Sequence, residues 1–291
     1  MHILLGVDTL SYHCRLAEHE ITLEEVVREC GELGAAYVQL NAVHLKDYDE
    51  VAIDALVASA GDAGIALTLS GDVVGLAKRG DTVAEGAARV KGWVELAERL
   101  GSPFARVSSG FYRNELLGHP EQIAAEQRYV IDALRAATDG SSGSVKVLLE
   151  NHSDFTADEY VEIIEAVDSE RVGVFLDIIN PISVLLDPLP VITRLAPWAP
   201  AGHAKDFRMV SHYVPDRFHR TGFDIQFCYP GEGVADLASL VGLLRDAPER
   251  DTPYLLGIEG LDNQAGVADQ RERLGASLKL LGDLTAVTPS R

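Results

Sequence analysis

The chain has little that would staple it covalently or tie it to a membrane. Its 291 residues include three cysteines, Cys14, Cys30 and Cys228, which are odd in number, far apart and in no C-x-x-C pair. That argues against a disulfide framework and a thiolate metal site, and fits a reducing compartment. No apolar stretch approaches about 18 residues, so no membrane span is expected. The start, Met1-His2-Ile3-Leu4-Leu5-Gly6-Val7-Asp8, lacks the basic region and long apolar segment of a signal peptide and reads as a first strand. A cytoplasmic protein is expected. Positive charge is scarce: 25 Lys and Arg stand against 45 Asp and Glu, a formal net charge of −20. Nucleic acid needs a basic surface that neutralises phosphates, so this balance counts against it, and against an anionic membrane surface for the same reason. A Gly-x-Ser-x-Gly elbow and a P-loop are also missing, which leaves serine-hydrolase and nucleotide-triphosphate chemistry without support.

What is present is the composition of a globular protein, 47% hydrophobic and 24% charged. Short apolar runs alternate with helical patterns along the whole chain. The runs are Ile3–Val7, Ala36–Leu40, Ile65–Leu69, Phe104–Ser109, Val145–Leu149, Val172–Leu176, the short Ala201-Gly202 before His203, and Tyr254–Ile258. Strands buried on both faces read as such runs. Between them, Thr22-Leu23-Glu24-Glu25 and Thr156-Ala157-Asp158-Glu159 are capping boxes that open helices. Gly101-Ser102-Pro103 closes another, and Ser70-Gly71 is expected as a loop. Residues 139–144, rich in Gly and Ser, read as a loop because strand and helix alternate identically on both sides.

Eight strand–helix units in one chain predict a single-domain (β/α)8 TIM barrel over residues 1–284, with 285–291 as a tail. The competing doubly wound sheet requires a Gly-rich loop after the first strand, and Asp8-Thr9-Leu10-Ser11-Tyr12-His13 is nothing like one. In a barrel the active site lies at the C-terminal strand ends. Four of the runs end there in a polar ligand type: Glu150, Asp177, His203 and Glu259. The steps of 27 and 26 residues between the first three match one βα unit of roughly 25–35 residues. The step of 56 to Glu259 is one unit plus an insertion, residues 207–233. Read as irregular, rich in aromatic and basic residues and including Arg217, this insertion is expected to act as a lid or a subunit contact.

Three carboxylates and an imidazole suit one divalent ion, Mn²⁺, Mg²⁺, Co²⁺ or Zn²⁺, with Mn²⁺ the first expectation. Such an ion would hold two oxygens of a hydroxy-ketone and stabilise an enediolate, while Glu150 and Glu259, approaching from different strands, take and return a proton. Around this set, His152, Asn180, Lys205, Arg106, His13 and Arg217 are the candidates for substrate contact. Asp8 joins His13 near the first strand's end, Asn151 joins His152, and Asp206 is a supporting neighbour of Lys205.

Several motifs resemble those of the xylose isomerase-like TIM-barrel superfamily, the sugar phosphate isomerase/epimerase group. They are Leu149-Glu150-Asn151-His152, Leu176-Asp177-Ile178-Ile179-Asn180, His203-Ala204-Lys205-Asp206, Pro230-Gly231-Glu232-Gly233 and Ile258-Glu259. The resemblance implies Glu150, Asp177, His203 and Glu259 as metal ligands and Glu150 with Glu259 as the acid/base pair of a ketose 3-epimerase-like enzyme. One position departs: Asn180 stands where that branch, and endonuclease IV-like members, carry His. The superfamily also implies an alternative, a metal-dependent lyase on 3-keto sugars of the inosose dehydratase type or the C-glycoside deglycosidase catalytic-subunit type. A non-enzymatic sugar-binding barrel is the third reading. The expected partner is a small sugar or keto-glycoside, in a homo-oligomer or in a hetero-oligomer with a small subunit.

Overall fold

The structure, a computed structural model, describes residues 2–140, 143–211, 222–247, 251–260 and 269–286. Eight parallel strands close into a barrel: β1 (Ile3–Asp8), β2 (Tyr37–Asn41), β3 (Ala66–Val73), β4 (Phe104–Ser108), β5 (Lys146–Glu150), β6 (Val172–Phe175), β7 (Ala201–Ala204) and β10 (Tyr254–Ile258). The last is tenth in the chain because an antiparallel pair, β8 (Asp206–Ser211) and β9 (Phe223–Cys228), precedes it. The expected barrel is therefore present. After a short helix α1 (His13–Ala17), the outer layer is formed by α2 (Leu23–Glu32), α3 (Glu50–Asp62), α4 (Val83–Leu100), α5 (Pro120–Thr138), α6 (Ala157–Val167), α7 (Pro188–Leu195), α8 (Leu237–Arg245) and α9 (Gln270–Ala286).

Local chemistry sets the helix starts. Thr22 with Glu25 and Thr156 with Glu159 form both bonds of the capping box, as expected, and Thr82 with Glu85 adds a third. Two segments differ from the sequence reading. Ser70 and Gly71 lie inside β3, with a register shift between Ser70 and Val73. Gly is suited there because a Cβ at position 71 would crowd the Arg106 carbonyl and the Trp93 ring. The 207–233 segment is not irregular throughout: Phe207 pairs with Phe227, and Ser211 with Phe223. Residues 212–221, and Arg217 with them, lie outside the described residues. The C-terminal helix α9 continues through Ala286, two residues past the expected end of the barrel at 284.

The period-two alternation of strands positions the site. Outward-facing Val7, Val38, Leu67, Val107, Leu149, Val174 and Leu256 join the main core beneath the helices. The inward parity carries a separate plug, Phe104, Leu148, Phe175 and Ala201. Two residues further along the same strands, on the same parity, stand Arg106, Glu150, Asp177 and His203. Burying an apolar layer at the barrel centre thus forces the next inward layer, at the C-terminal ends, to be the polar one.

Candidate active site

Glu150, Asp177, His203 and Glu259 come together on four adjacent strand ends, β5, β6, β7 and β10. His203 is fully buried and stands at the centre. Its Nδ1 lies 3.5 Å from Glu150 Oε1 and 3.4 Å from Glu259 Oε1. Its ring packs edge-on against Phe175 of the apolar plug, 4.6 Å between centroids. Asp177 follows β6, whose backbone ladder to β7 continues through Leu176 N–H to Ala201 C=O and Ile178 N–H to His203 C=O. Asp177 Oδ1 accepts the N–H groups of Ile179 and Asn180, both at 2.8 Å, which leaves Oδ2 directed into the site. Asn151 fixes the same residue from the neighbouring strand end: its Oδ1 accepts Asp177 N–H at 2.7 Å and its Nδ2 donates to Asp177 C=O at 2.9 Å.

Two cations complete the layer. Arg106 donates to Glu150 Oε2 and to the Gly71 carbonyl. Lys205, 2% exposed, donates to Glu259 Oε2 at 2.6 Å, with Asp177 Oδ2 at 3.0 Å and the Phe227 ring centroid at 4.6 Å. Burial alone would lower the Lys205 pKa, but Asp177 and Glu259 outweigh it and raise it. Burial would likewise push Glu259 up, but Lys205 foremost, then His203 and Arg106, hold it below the usual carboxylate range. Both groups therefore stay ionised at neutral pH.

The remaining expected residues lie at different distances from this centre. Asn180 is buried, and its Nδ2 donates to the Asn151 carbonyl at 3.1 Å. Half-buried His152 sits beside Tyr112, 5.6 Å between ring centroids; burial, then Arg106 and Lys205, push its imidazole down to about 4. His13 pairs instead with His44, Nδ1 to Nε2 at 3.0 Å, and His44 with Thr9 Oγ1 at 2.9 Å. Asp206 supports the hairpin: its carboxylate accepts N–H groups from Gly231, Gly233 and Ala235 at 3.1, 3.0 and 2.9 Å, which gives the Pro230–Gly233 turn its role. Gln39 was not foreseen. It is fully buried on β2, with Oε1 3.0 Å from His203 Nε2. A glutamine within the apolar run Ala36–Leu40 was the signal available.

The donor set fits a divalent ion. Among the described residues, the buried atoms Asp8 Oδ2, Glu150 Oε1 and His203 Nδ1 of this layer lack a hydrogen-bond partner, and Asp177 Oδ2 faces the Lys205 ammonium at 3.0 Å. Buried polar atoms are rarely left unpaired. Carboxylate oxygens and an imidazole lone pair facing one another are what a cation satisfies. Glu150, Asp177 and His203 offer atoms within 4.8 Å of one another, as do Asp8, His203 and Glu259.

Residues 27–282 match the sequence profile of the xylose isomerase-like TIM barrel. The chain belongs to that family. No curated protein matches its sequence. Among solved structures, the IOLI protein with a bound zinc atom superposes with a TM-score of 0.72 at 16% identity, covering all of both chains. D-psicose 3-epimerase from Clostridium cellulolyticum H10 gives 0.68 at 14% identity, over 99% of this chain and 100% of that one. The probable 3-DHS dehydratase AsbF from Bacillus anthracis gives 0.64 at 17%, over 96% and 98%. At these identities the likeness is one of fold. The xylose isomerase-like fold thus hosts proteins described as epimerases and as a dehydratase, which makes the strand-end layer the place to read this chain's chemistry. No helix among the described residues is long and apolar enough to cross a membrane.

Proposed function

We propose that this chain is a divalent-metal-dependent isomerase or epimerase acting on a ketose or keto-sugar. The observation that carries the reading is the approach of carboxylate oxygens of Glu150 and Glu259 to His203 Nδ1, from strands on both sides of it, with Glu150 Oε1 and His203 Nδ1 both buried and without a hydrogen-bond partner. Glu150, Asp177, His203 and Glu259 would hold the ion. When bound, the ion would supply Lewis acidity, polarising a substrate carbonyl and making the neighbouring C–H more acidic.

The chain's own residues do the rest. Glu150 and Glu259 reach the centre from strands separated by β6 and β7, so they face opposite sides of a bound sugar. One removes the proton next to the carbonyl and the other returns a proton, to the adjacent oxygen-bearing carbon or to the opposite face of the same carbon. Lys205 keeps Glu259 ionised and ready to accept. Arg106 orients Glu150 and keeps charge balanced on that side. The β8–β9 hairpin, anchored by Asp206, sets Phe227 against Lys205 and would cover the site as a lid, excluding water from the exchanging proton.

The test is incubation with a panel of ketoses in D2O with Mn²⁺. Deuterium should enter a carbon next to a carbonyl, and the Glu150→Gln and Glu259→Gln variants should lose the exchange. Absence of deuterium across a broad panel would count against the proposal. A second reading, a lyase on 3-keto sugars, is favoured by Asn180. An amide that cannot titrate stands beside Asp177 where the epimerase branch carries an imidazole, and one deprotonation followed by loss of a leaving group needs no group there. Release of an aglycone from a 3-keto-glycoside would select that reading.

A further inference from the structure

The β8–β9 pair has two unlike faces. Directly opposed residues of an antiparallel pair share a face, and neighbours along a strand alternate. The register therefore puts Asp206, Arg208, Val210, Asp224, Gln226 and Cys228 on one face. That face is tied down. Asp206 accepts the N–H groups of Gly231, Gly233 and Ala235, and Arg208 donates to the Glu232 carbonyl and carboxylate, each at 3.0 Å. The other face carries Phe207, Met209, Phe223, Ile225 and Phe227, with Ser211 its one polar member. This apolar strip starts at the active site, where the Phe227 ring centroid lies 4.6 Å from Lys205 Nζ. Phe207 and Phe227 at its base pack against the core, whereas Met209 and Phe223 further out are 52% and 49% exposed.

Four residues of strand separate Phe227 from Phe223, about 14 Å at about 3.4 Å each. A sugar ring held among Glu150, Asp177, His203 and Glu259 meets the Phe227 end and leaves the outer strip uncovered. Apolar side chains exposed in a row mark a contact. A protein chain seated on this face would close the approach to Lys205 and Glu259 from the hairpin side, and a second copy would bring a further net charge of −20. The occupant that leaves the site open is part of the substrate itself. We propose that the strip from Phe227 to Phe223 is a subsite for an apolar, aromatic group carried by the sugar, so that the substrate is a keto-sugar conjugate and not a bare monosaccharide. The proposal rests on the metal-dependent sugar reading above and adds the substrate class. It holds whether the sugar is epimerised or loses a leaving group.

The chain has two methionines, Met1 and Met209, so one of them reports on the strip. The experiment labels the full chain with 13C at the methionine methyl groups, in the presence of Mg²⁺, a diamagnetic ion, and Met209→Leu assigns the signal. The ligands are the ketoses of the D2O panel, each as the bare sugar and as its mono-O-benzyl ethers at the two ends of the carbon chain. A benzyl ether should move the Met209 signal and bind about tenfold more tightly than its parent sugar, which should leave the signal in place. Phe223→Ser combined with Ile225→Thr should cancel that gain while the parent sugars exchange deuterium as in wild type, and Phe223→Leu should retain it. Benzyl ethers that leave Met209 unmoved, or that gain as much affinity in the double variant, would overturn the proposal. So would a Met209 signal that moves on dilution of the protein alone, since the strip would then be a contact between copies. Deuterium exchange without any Met209 response refutes the subsite and leaves the isomerase reading. A Met209 response to a benzyl ether without exchange of any sugar refutes the reaction and leaves the subsite.

Discussion

Removing the Lys205 ammonium should destabilise the protein in a way that a divalent ion repairs. In Lys205→Met the stem volume is nearly kept, but Glu259 Oε2 and Asp177 Oδ2 lose the positive charge now 2.6 and 3.0 Å away. Both carboxylates are buried, at 4% and 0% exposure, so water cannot replace it. Breaking a buried ion pair from one side costs about 3–5 kcal/mol. With an unfolding entropy of about 2 cal/mol/K per residue, that is roughly 5–8 °C in Tm at this length. The assay is thermal unfolding of wild type and variant, first with EDTA and then with Mn²⁺ in large excess. An ion at about 100 times its Kd contributes about 2.7 kcal/mol. It should raise the variant's Tm more than the wild type's, because it no longer shares Glu259 and Asp177 with an ammonium. A variant that unfolds within about 1 °C of wild type in EDTA, or gains no more than wild type from Mn²⁺, would refute the charge balance drawn here.

Other perturbations probe the supports of the site. Asp154 is buried and accepts from Ser109, Tyr160 and Phe155 N–H. Burial pushes its carboxyl up to about 6 against those bonds, from 3.8. Between these values the folded state binds more protons than the unfolded one, so this group's contribution falls as pH rises from about 4 to 6. Urea titrations should therefore show the stability difference between wild type and Asp154→Asn shifting by up to about 3 kcal/mol in the variant's favour from pH 4 to 7; a pH-independent difference would contradict this. Asn151→Leu removes both bonds to the Asp177 backbone and should cost about 2–4 kcal/mol in chemical denaturation while weakening metal binding, since two buried groups are left unpaired. Gly202→Ala should destabilise by several kcal/mol on the scale of overpacking and displace His203, because a Cβ there would overlap the Leu176 carbonyl; wild-type metal affinity in a folded variant would argue against that coupling.

The barrel was legible because strands covered on both faces are apolar throughout, and their C-terminal ends are where charge stands out. Glu150, Asp177, His203 and Glu259 could be aligned on that signal alone. Gln39 was not, because a single amide within Ala36–Leu40 says nothing about the histidine it meets 164 positions away. The β8–β9 pair was hidden for a different reason. From Phe207 to Ser211 the strand is partly or fully exposed, so no alternation marks it, and its partner begins beyond residue 221. Asp206 read as one charge of a possible ion pair, whereas its carboxylate stitches the return of the hairpin through three backbone N–H groups. Asn180 was a candidate for substrate contact, and its amide nitrogen is engaged by the Asn151 carbonyl. Sequence pattern reports which face a residue occupies; it does not report which partner crosses the barrel to meet it.

The most direct measurement is anomalous X-ray scattering at the zinc edge from crystals of the full chain grown with zinc. The account predicts one strong peak about 2.0–2.3 Å from His203 Nδ1 and from carboxylate oxygens of Glu150, Asp177 and Glu259. A peak on the Nε2 side, against Asp8, or no peak at the strand ends would contradict it.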